Sequence, residues 1–367
     1  MKVIFRVDAS LKMGSGHVMR CLTLAHALTA VGADCKFISR PQSGDLLAYI
    51  KGQGFEVFSL PKHAVGLVSS CEPGLAHSSW LGRTQSEDFA DCLGYILQES
   101  PDWLVLDHYA LDYRWESEAR KFVDNIFVID DLADRKHCCD MILDQTFGRE
   151  EVAYSGLIPL NAIPLFGANY ALLRPGFSKL REASLSRRKK QPVRRIMVSL
   201  GGVDNDNVTE IVLQALEKAT LPETCTVTVV MGKNAPWLEN VKDLADTMSV
   251  QTEVRCDVSD MAALMKDSDL AIGAAGSTSW ERCALGLPTI MMVLADNQRY
   301  SASLLANVGA VELIAETADY QENLIYVINQ LVAKPELLTG MSDRASEITD
   351  GFGCERVVKK LIEFNRG

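Results

Sequence analysis

The sequence contains no apolar run approaching the roughly 20 residues of a helical membrane span, which argues against a membrane-embedded protein. Positive charge is also scarce: 37 Lys and Arg stand against 48 Asp and Glu, leaving a net charge of −11. Non-specific nucleic-acid binding draws its affinity from phosphate neutralisation by Lys and Arg, so no nucleic-acid partner is expected. A small phosphate-bearing ligand stays open, because it needs local donors rather than global charge. None of the ten cysteines forms a CxxC pair. Cys138 and Cys139 adjoin His137, but no second cluster completes a zinc site, and no metal is expected. Unpaired thiols of this kind read as reduced, packed side chains of a cytoplasmic protein. The N-terminal MKVIFRVDAS is broken by Arg6 and Asp8 too early for a signal peptide and reads as a first strand.

What is present is an alternation of strands and helices. A chain of 367 residues, 47% hydrophobic, exceeds the size of one core, and two domains are expected. In the first half, VIFRV at 3–7, CKFIS at 35–39, FEVFSL at 55–60, WLVLD at 103–107 and IFVIDD at 126–131 are short apolar runs. Helical spacing separates them, as in HVMRCLTLAHAL at 17–28. A second set begins with IMVSLGG at 196–202 and continues through TVTVVMG, DLAIGAAG and PTIMMVL. Such alternation implies parallel strands joined by helical crossovers. The expected organisation is one Rossmann-like domain over 1–185, a linker at 186–195, a second Rossmann-like domain over 196–345, and a closing segment at 346–367. The basic run RRKKQPVRR at 187–195 could mark a targeting or nucleic-acid patch, but between two periodic regions it reads as a solvated linker. CERVVKKLIEF at 354–364 is an amphipathic helix, expected to pack back on the first domain rather than lie on a membrane.

Ligands of open parallel sheets sit beyond the carboxyl ends of strands, where helix N-termini offer free N–H groups. Three glycine turns occupy such places. The first holds Gly14 and Gly16 and runs into His17; it is not a GxGxxG dinucleotide fingerprint. The second holds Gly201 and Gly202, and the third is GAAGST, with Gly276, Ser277 and Thr278 at a helix start. Glu281 lies one turn into that helix, where a carboxylate suits two ribose hydroxyls. Asp296, Asn297 and Gln298 follow the strand TIMMVL, again at a carboxyl end.

At these residues a resemblance emerges. GAAGSTSWERCALGLPTIMMVLADNQ at 273–298 resembles the nucleotide-sugar signature of the GT-B glycosyltransferase superfamily, nearest the branch of the lipid II N-acetylglucosamine transferase. Four further runs narrow it: FRVDASLKMGSGHVMRCLTLA at 5–25, WLGRTQSEDF at 80–89, LVLDHYALDYRWE at 104–116 and VIDDLADRKHCCDMILDQ at 128–145. Together they are similar to the UDP-2,4-diacetamido-2,4,6-trideoxy-β-L-altropyranose hydrolases of pseudaminic acid biosynthesis. The resemblance implies an α/β GT-B fold, two Rossmann-like domains facing an interdomain cleft, with UDP held mainly by the second. It implies Gly276, Ser277 and Thr278 at the diphosphate and Glu281 at the ribose. His17 takes the place of the catalytic base, followed by Arg20, and Tyr109 and Asn297 the places near the sugar and its water, with Gln298 beside them. The implied partner is a UDP-sugar; no cofactor is implied.

The chemistry suits these residues. Glycosidases use two carboxylates because a sugar alkoxide must be protonated as it leaves. UDP leaves as a stable anion that needs only electrostatic support, so one base suffices. Histidine, with an unperturbed pKa of about 6.5, fits that task, and the positive end of a helix favours its neutral form. Water arriving opposite UDP would invert the anomeric centre. Asp8 and Asp107 are expected as structural or orienting groups, DDLAD at 130–134 as a strand-end loop rather than a divalent-ion site, and His108 and His137 as supporting or surface residues. Two rival readings remain: transfer of the sugar to an acceptor, and UDP-sugar binding without catalysis. The segment KHAVGLVSSCEPGLAHSSW at 62–80 is only mildly apolar and offers no strong membrane face to a transferase.

Overall fold

The structure, a computed structural model, describes residues 1–62, 74–189, 192–256, 258–314 and 320–365. The chain divides into two compact units, Met1–Leu172 with Gly353–Gly367, and Leu173–Phe352.

Unit 1 is built on seven parallel strands: β1 (Lys2–Val7), β2 (Asp34–Ser39), β3 (Glu56–Ser59), β4 (Trp103–Asp107), β5 (Asn125–Ile129), β6 (Met141–Asp144) and β7 (Ile163–Phe166). Helices α1 (Gly16–Ala30), α2 (Leu47–Gly52), α3 (Gln85–Glu99) and α4 (Tyr113–Ala119) form crossovers. The sheet order is β3-β2-β1-β4-β5-β6-β7. Parallel strands covered on both faces must be apolar throughout, and every residue of β4, WLVLD, is buried. One face packs on α1 through Val3, Phe5, Val105 and Phe127, with Val18, Cys21 and Leu24. The other packs on α3 and α4 through Ile4, Leu104 and Leu106, with Phe89, Ile96 and Trp115. Strand order reverses between β1 and β4, where Val7 pairs with Asp107 in register. The carboxyl ends of these strands therefore diverge into a switch-point crevice, the place such sheets bind ligands.

Unit 2 begins with α5 (Pro175–Arg187) and continues through β8 (Arg195–Ser199), α6 (Val208–Lys218), β9 (Thr226–Met231), α7 (Leu238–Thr247), β10 (Gln251–Cys256), α8 (Met261–Asp267), β11 (Leu270–Ala274) and α9 (Thr278–Ala284). It is completed by β12 (Thr289–Met292), α10 (Arg299–Asn307), β13 (Glu312–Ile314), α11 (Tyr320–Ala333) and α12 (Pro335–Ile348). Its six parallel strands take the order β10-β9-β8-β11-β12-β13, which reverses between β8 and β11. The last helix, α13 (Gly353–Phe364), returns to unit 1. There Cys354, Val357, Val358 and Leu361 join the core beside α1, and the Phe364 ring meets Trp103 at 5.2 Å.

The chain changes unit at Leu172–Leu173, ahead of the basic stretch where a linker was expected. The cause is the packing of α5. Arg188, just past its end, is buried and donates to the carbonyls of Met265 (2.7 Å), Ser268 (2.6 Å) and Leu285 (3.0 Å). Arg181 donates to those of Ala284 and Ser346, each at 2.6 Å. These carbonyls lie at the C-terminal ends of α8, α9 and α12, where a helix runs out of N–H donors of its own. Arg188 of the basic run thus caps buried helix ends rather than lying in a solvated linker; residues 190 and 191 lie outside the described ones. The closing segment likewise divides: α12 stays in unit 2 to Ile348, and only residues from Gly353 return to unit 1. Among the described residues no helix is long and apolar enough to cross a membrane. Most of the 62–80 segment, residues 63–73, lies outside the described residues.

Candidate active site

The turn after β1 presents His17. Gly14 adopts φ +74°, a left-handed conformation that favours glycine, and its N–H closes the turn on the Ser10 carbonyl at 2.8 Å. Gly16 opens α1, and His17 follows as its second residue. Neither a capping side-chain bond nor an acidic residue of its own occupies that first turn.

His17 is held from behind by a carboxylate. Its Nδ1 lies 2.5 Å from Asp107 Oδ1, at the end of β4. Asp107 is fully buried, which would raise its pKa, but Arg20 and His17 outweigh burial and hold it well below the usual carboxylate range. An ionised carboxylate can only accept, so Nδ1 carries the proton, and in the neutral imidazole Nε2 is then the nitrogen with the lone pair. Arg20, one turn further along α1, grips the same carboxylate in a fork, Nε to Oδ2 at 2.6 Å and Nη2 to Oδ1 at 2.7 Å. Its Nη1 donates to Asp131 Oδ2 at 2.8 Å. Arg20, expected at the substrate, is buried, and each of its three nitrogens donates to Asp107 or Asp131.

Tyr109 follows β4 by two residues. Its hydroxyl donates to Asp131 Oδ1, the carboxylate that Arg20 also holds. The tyrosine ring stands edge-on to His17, with centroids 4.5 Å apart. Sequence reasoning missed Asp131, although the strand-end rule applied to IFVIDD would have singled it out. Asp130 is paired with Arg135 at 2.7 Å and accepts from Tyr154 at 2.8 Å, so the carboxylates of DDLAD are engaged by protein groups. His108 and His137 are both buried rather than superficial. His137 Nδ1 sits 2.7 Å from Glu116, and His108 accepts the Ala110 N–H at 3.1 Å.

A second charged layer lies beneath. Asp8 meets Arg6 at 2.6 Å, and Arg6 and Arg40 share Asp88 at 2.7 and 2.6 Å, all with fully buried side chains. Trp115 Nε1 adds a bond to Asp88 at 3.1 Å. Burial alone would raise the Asp8 pKa, yet the Arg6 guanidinium holds it far below normal. Asp8 is therefore a fixed anion that ties the end of β1 to the end of β2, accepting from Ser39 Oγ at 3.3 Å and from the Arg40 N–H at 2.7 Å, while Arg6 ties β1 to α3 through Asp88.

In unit 2 the expected binding residues gather at the carboxyl edge of one sheet. Gly201 takes φ +100°, and a Cβ at neighbouring Gly232 would stand 2.3 Å from the Gly202 carbonyl oxygen, so two backbones touch here. The first amides of α6, on Val208 and Thr209, are taken by Asp204 at 2.9 Å each. An anion at this turn would meet the amides of Gly201 and Gly202 themselves, not those of the helix. After β11, Gly276 is half-buried and Ser277 exposed. Thr278 Oγ1 faces inward and accepts from buried Arg282 at 3.2 Å. The Arg282 guanidinium lies so close to Gly273 that a Cβ there would be 2.5 Å from Nη1. Glu281, half-buried, has its pKa raised by burial and pulled back by Arg174, whose Nη2 is 3.5 Å from Oε1. Arg174 was not singled out in the sequence. Asn297 is exposed beyond β12, while Gln298 Oε1 closes its own turn by accepting the Leu294 N–H at 2.9 Å.

Comparison with known proteins fits this layout. Residues 195–352 match the family model described as glycosyltransferase family 28 C-terminal domain. An uncharacterized protein of Methanocaldococcus jannaschii is 24% identical over 82% of this chain, which spans only 57% of that relative's length. A UDP-2,4-diacetamido-2,4,6-trideoxy-beta-L-altropyranose hydrolase of Campylobacter jejuni is 26% identical, covering 84% of this chain and 97% of its own. The spore coat polysaccharide biosynthesis protein SpsG of Bacillus subtilis is 24% identical over 98% of both chains. Among solved structures, MurG of Acinetobacter baumannii superposes with a TM-score of 0.69 at 16% identity, covering 99% of each chain. The fold, two parallel-sheet Rossmann-like domains, is GT-B.

Proposed function

We propose that the chain hydrolyses a UDP-sugar, with His17 as general base. The observation that carries this reading is the Asp107–His17 pair, 2.5 Å apart, at the strand-order reversal of unit 1. Its arrangement leaves Nε2 as the proton acceptor. Water donates a proton to Nε2 while its oxygen bonds to the anomeric carbon. The bond from that carbon to the β-phosphate oxygen breaks, and UDP departs with the electron pair. Asp107 stabilises the imidazolium that forms, as the carboxylate of a hydrolase triad does. A positioned base of this kind contributes on the order of 10²–10⁴ in rate. One base, with the neighbouring carboxylates Asp107 and Asp131 both engaged by Arg20, makes inversion the expected outcome.

Unit 2 holds the nucleotide in this reading. The amides around Gly276 and Ser277, with those of Gly201 and Gly202, meet the diphosphate, Glu281 meets the ribose, and Asn297 and Gln298 lie toward the sugar. Gly14 and Gly16 shape the turn that presents His17. The resemblance of the motifs and the Campylobacter relative's name support UDP-2,4-diacetamido-2,4,6-trideoxy-β-L-altropyranose as substrate.

The match of residues 195–352 to a glycosyltransferase domain favours a second reading, transfer of the sugar to an acceptor. Incubation with the UDP-sugar in heavy-oxygen water separates the two. Label in the released sugar, without any acceptor, is the expected result. Turnover only after an acceptor alcohol is added would overturn hydrolysis.

A further inference from the structure

Three aromatic rings stand beside His17 and belong to neither apolar core of unit 1. Trp80 ends a short 3-10 turn, Ser78–Trp80, and is half-buried; His77 precedes that turn and is also half-buried. The Trp80 and Tyr109 rings stack at 5.7 Å with an interplanar angle of 28°. His77 contacts both, at 4.4 Å from Trp80 and 5.3 Å from Tyr109. Trp80 also approaches His17 edge-on at 6.4 Å. The two cores that flank the sheet include Leu81, Ala110 and Leu111 but none of these rings.

The cluster is held rigidly. The Trp80 carbonyl accepts from Gln42 Nε2 at 3.1 Å, and the Tyr109 hydroxyl is tied to Asp131. Thr84, four residues past Trp80, fixes the chain direction through a capping box with Glu87 at the start of α3. Burial pushes the His77 pKa down, favouring the neutral imidazole. The result is a wall of rings beside the base in which Tyr109 is buried behind and Trp80 and His77 are only partly covered by protein. Large aromatic surface left half-covered in this way suits a ligand with an apolar body and polar edges. A pyranose carrying acetamido and deoxy substituents is such a body: its axial C–H bonds and methyl groups are apolar, its amides polar.

We propose that Trp80, backed by Tyr109 and His77, is the stacking surface for the sugar ring of the substrate and sets the preference for an acetamido, deoxy pyranose. This rests on the reading of the protein as a UDP-sugar enzyme, and it adds residues that the reading did not use. Tyr109 then acts through its ring, and its hydroxyl serves only to orient that ring. Trp80 selects for the sugar and is indifferent to UDP.

The test compares Trp80→Ala and Trp80→Phe with the native protein. Steady-state kinetics are measured with UDP-2,4-diacetamido-2,4,6-trideoxy-β-L-altropyranose, with UDP as product inhibitor. Loss of a stacking partner should raise KM about ten-fold in Trp80→Ala. Trp80→Phe should recover most of that loss, and the inhibition constant for UDP should not move in either variant. An unchanged KM, or an equal shift for UDP, overturns the proposal. Binding is read separately by tryptophan fluorescence in the His17→Ala background. A sugar-dependent change absent with UDP alone and lost in Trp80→Phe supports the stacking surface even if no hydrolysis is found. A change that persists in Trp80→Phe, or no change at all, refutes it. Failure of hydrolysis itself shows only in the native protein, as no UDP release, so the two ideas fail by different signs.

Discussion

The Asp107 carboxylate reaches His17 from a neighbouring parallel strand end, and Arg20, three residues after His17 on the same helix, grips the other side of that carboxylate. Base and clamp therefore come from one turn of α1, while the group they share comes from β4. Replacing His17 by Ala should cut kcat by about 10²–10⁴ and leave UDP affinity intact. Asp107→Asn offers Nδ1 either an amide donor or an acceptor, so the tautomer is no longer set, and kcat should fall by a similar order. UDP release under saturating substrate measures both, and full activity in His17→Ala would remove the base from the mechanism.

Glu281 carries a different expectation. Its half-buried carboxylate faces Arg174 at 3.5 Å and is the proposed ribose contact. Glu281→Ala should weaken UDP binding by about ten-fold, the scale of a lost charge-assisted hydrogen bond, with kcat little changed. Titration calorimetry with UDP checks this, and an unaltered affinity would take Glu281 out of the ribose site.

Acid should unfold unit 1 steeply. Asp8, Asp107 and Asp130 all have folded pKa values depressed below the ordinary carboxylate value by buried arginine and histidine partners, despite the opposing effect of burial. A depressed carboxylate contributes stability above its unfolded pKa and loses it as pH falls toward the folded value. The loss should therefore set in below about pH 4. Asp144 runs the other way: burial and Asp131 push it up to about 6 against the pull of Arg149, so it disfavours the folded state increasingly as pH rises from its unfolded value of 3.8 through that point. Denaturant titrations from pH 2 to 7 should show a steep loss below about pH 4, and Asp144→Asn should remove a falling contribution between about pH 4 and 6.

Gly232→Ala places a methyl group against the Gly202 carbonyl oxygen, 2.3 Å away on the present backbone. The obstacle is main chain, so the turn must move, at a cost of about 1–3 kcal/mol. Thermal unfolding should drop accordingly. UDP affinity should fall with it, since the displaced Gly201–Gly202 turn is a proposed diphosphate contact; a variant as stable as the parent would contradict the tight backbone approach.

Much of the architecture is visible in the linear pattern because strands buried on both faces must be continuous apolar runs. WLVLD at 103–107 coincides with β4, and VIFRV and CKFIS fall within β1 and β2. β7, at the sheet's far side, is hidden by Pro164, a residue that counts against a strand in the sequence. The basic run after α5 misleads for an opposite reason: Arg188 is spent on buried carbonyls, and charge in a sequence does not reveal what it will cap. The same holds at the site. His17 stands out because a glycine turn precedes it. Trp80 does not, since what makes it matter is a stack of rings brought together from distant segments; Asp131 has a strand-end signal, but its partners come only from the β1–β4–β5 order of the sheet.

The route of the chain has a consequence for its birth on the ribosome. Unit 1 is written first but closed last: Cys354, Val357, Val358 and Leu361 fill a face beside α1 only after all of unit 2 has been made. Through that interval the part of α1 that α13 covers offers nascent-chain chaperones an open apolar stripe. At translation rates of roughly 5–20 residues per second, the some 180 residues of unit 2 hold that stripe open for about 10–40 seconds.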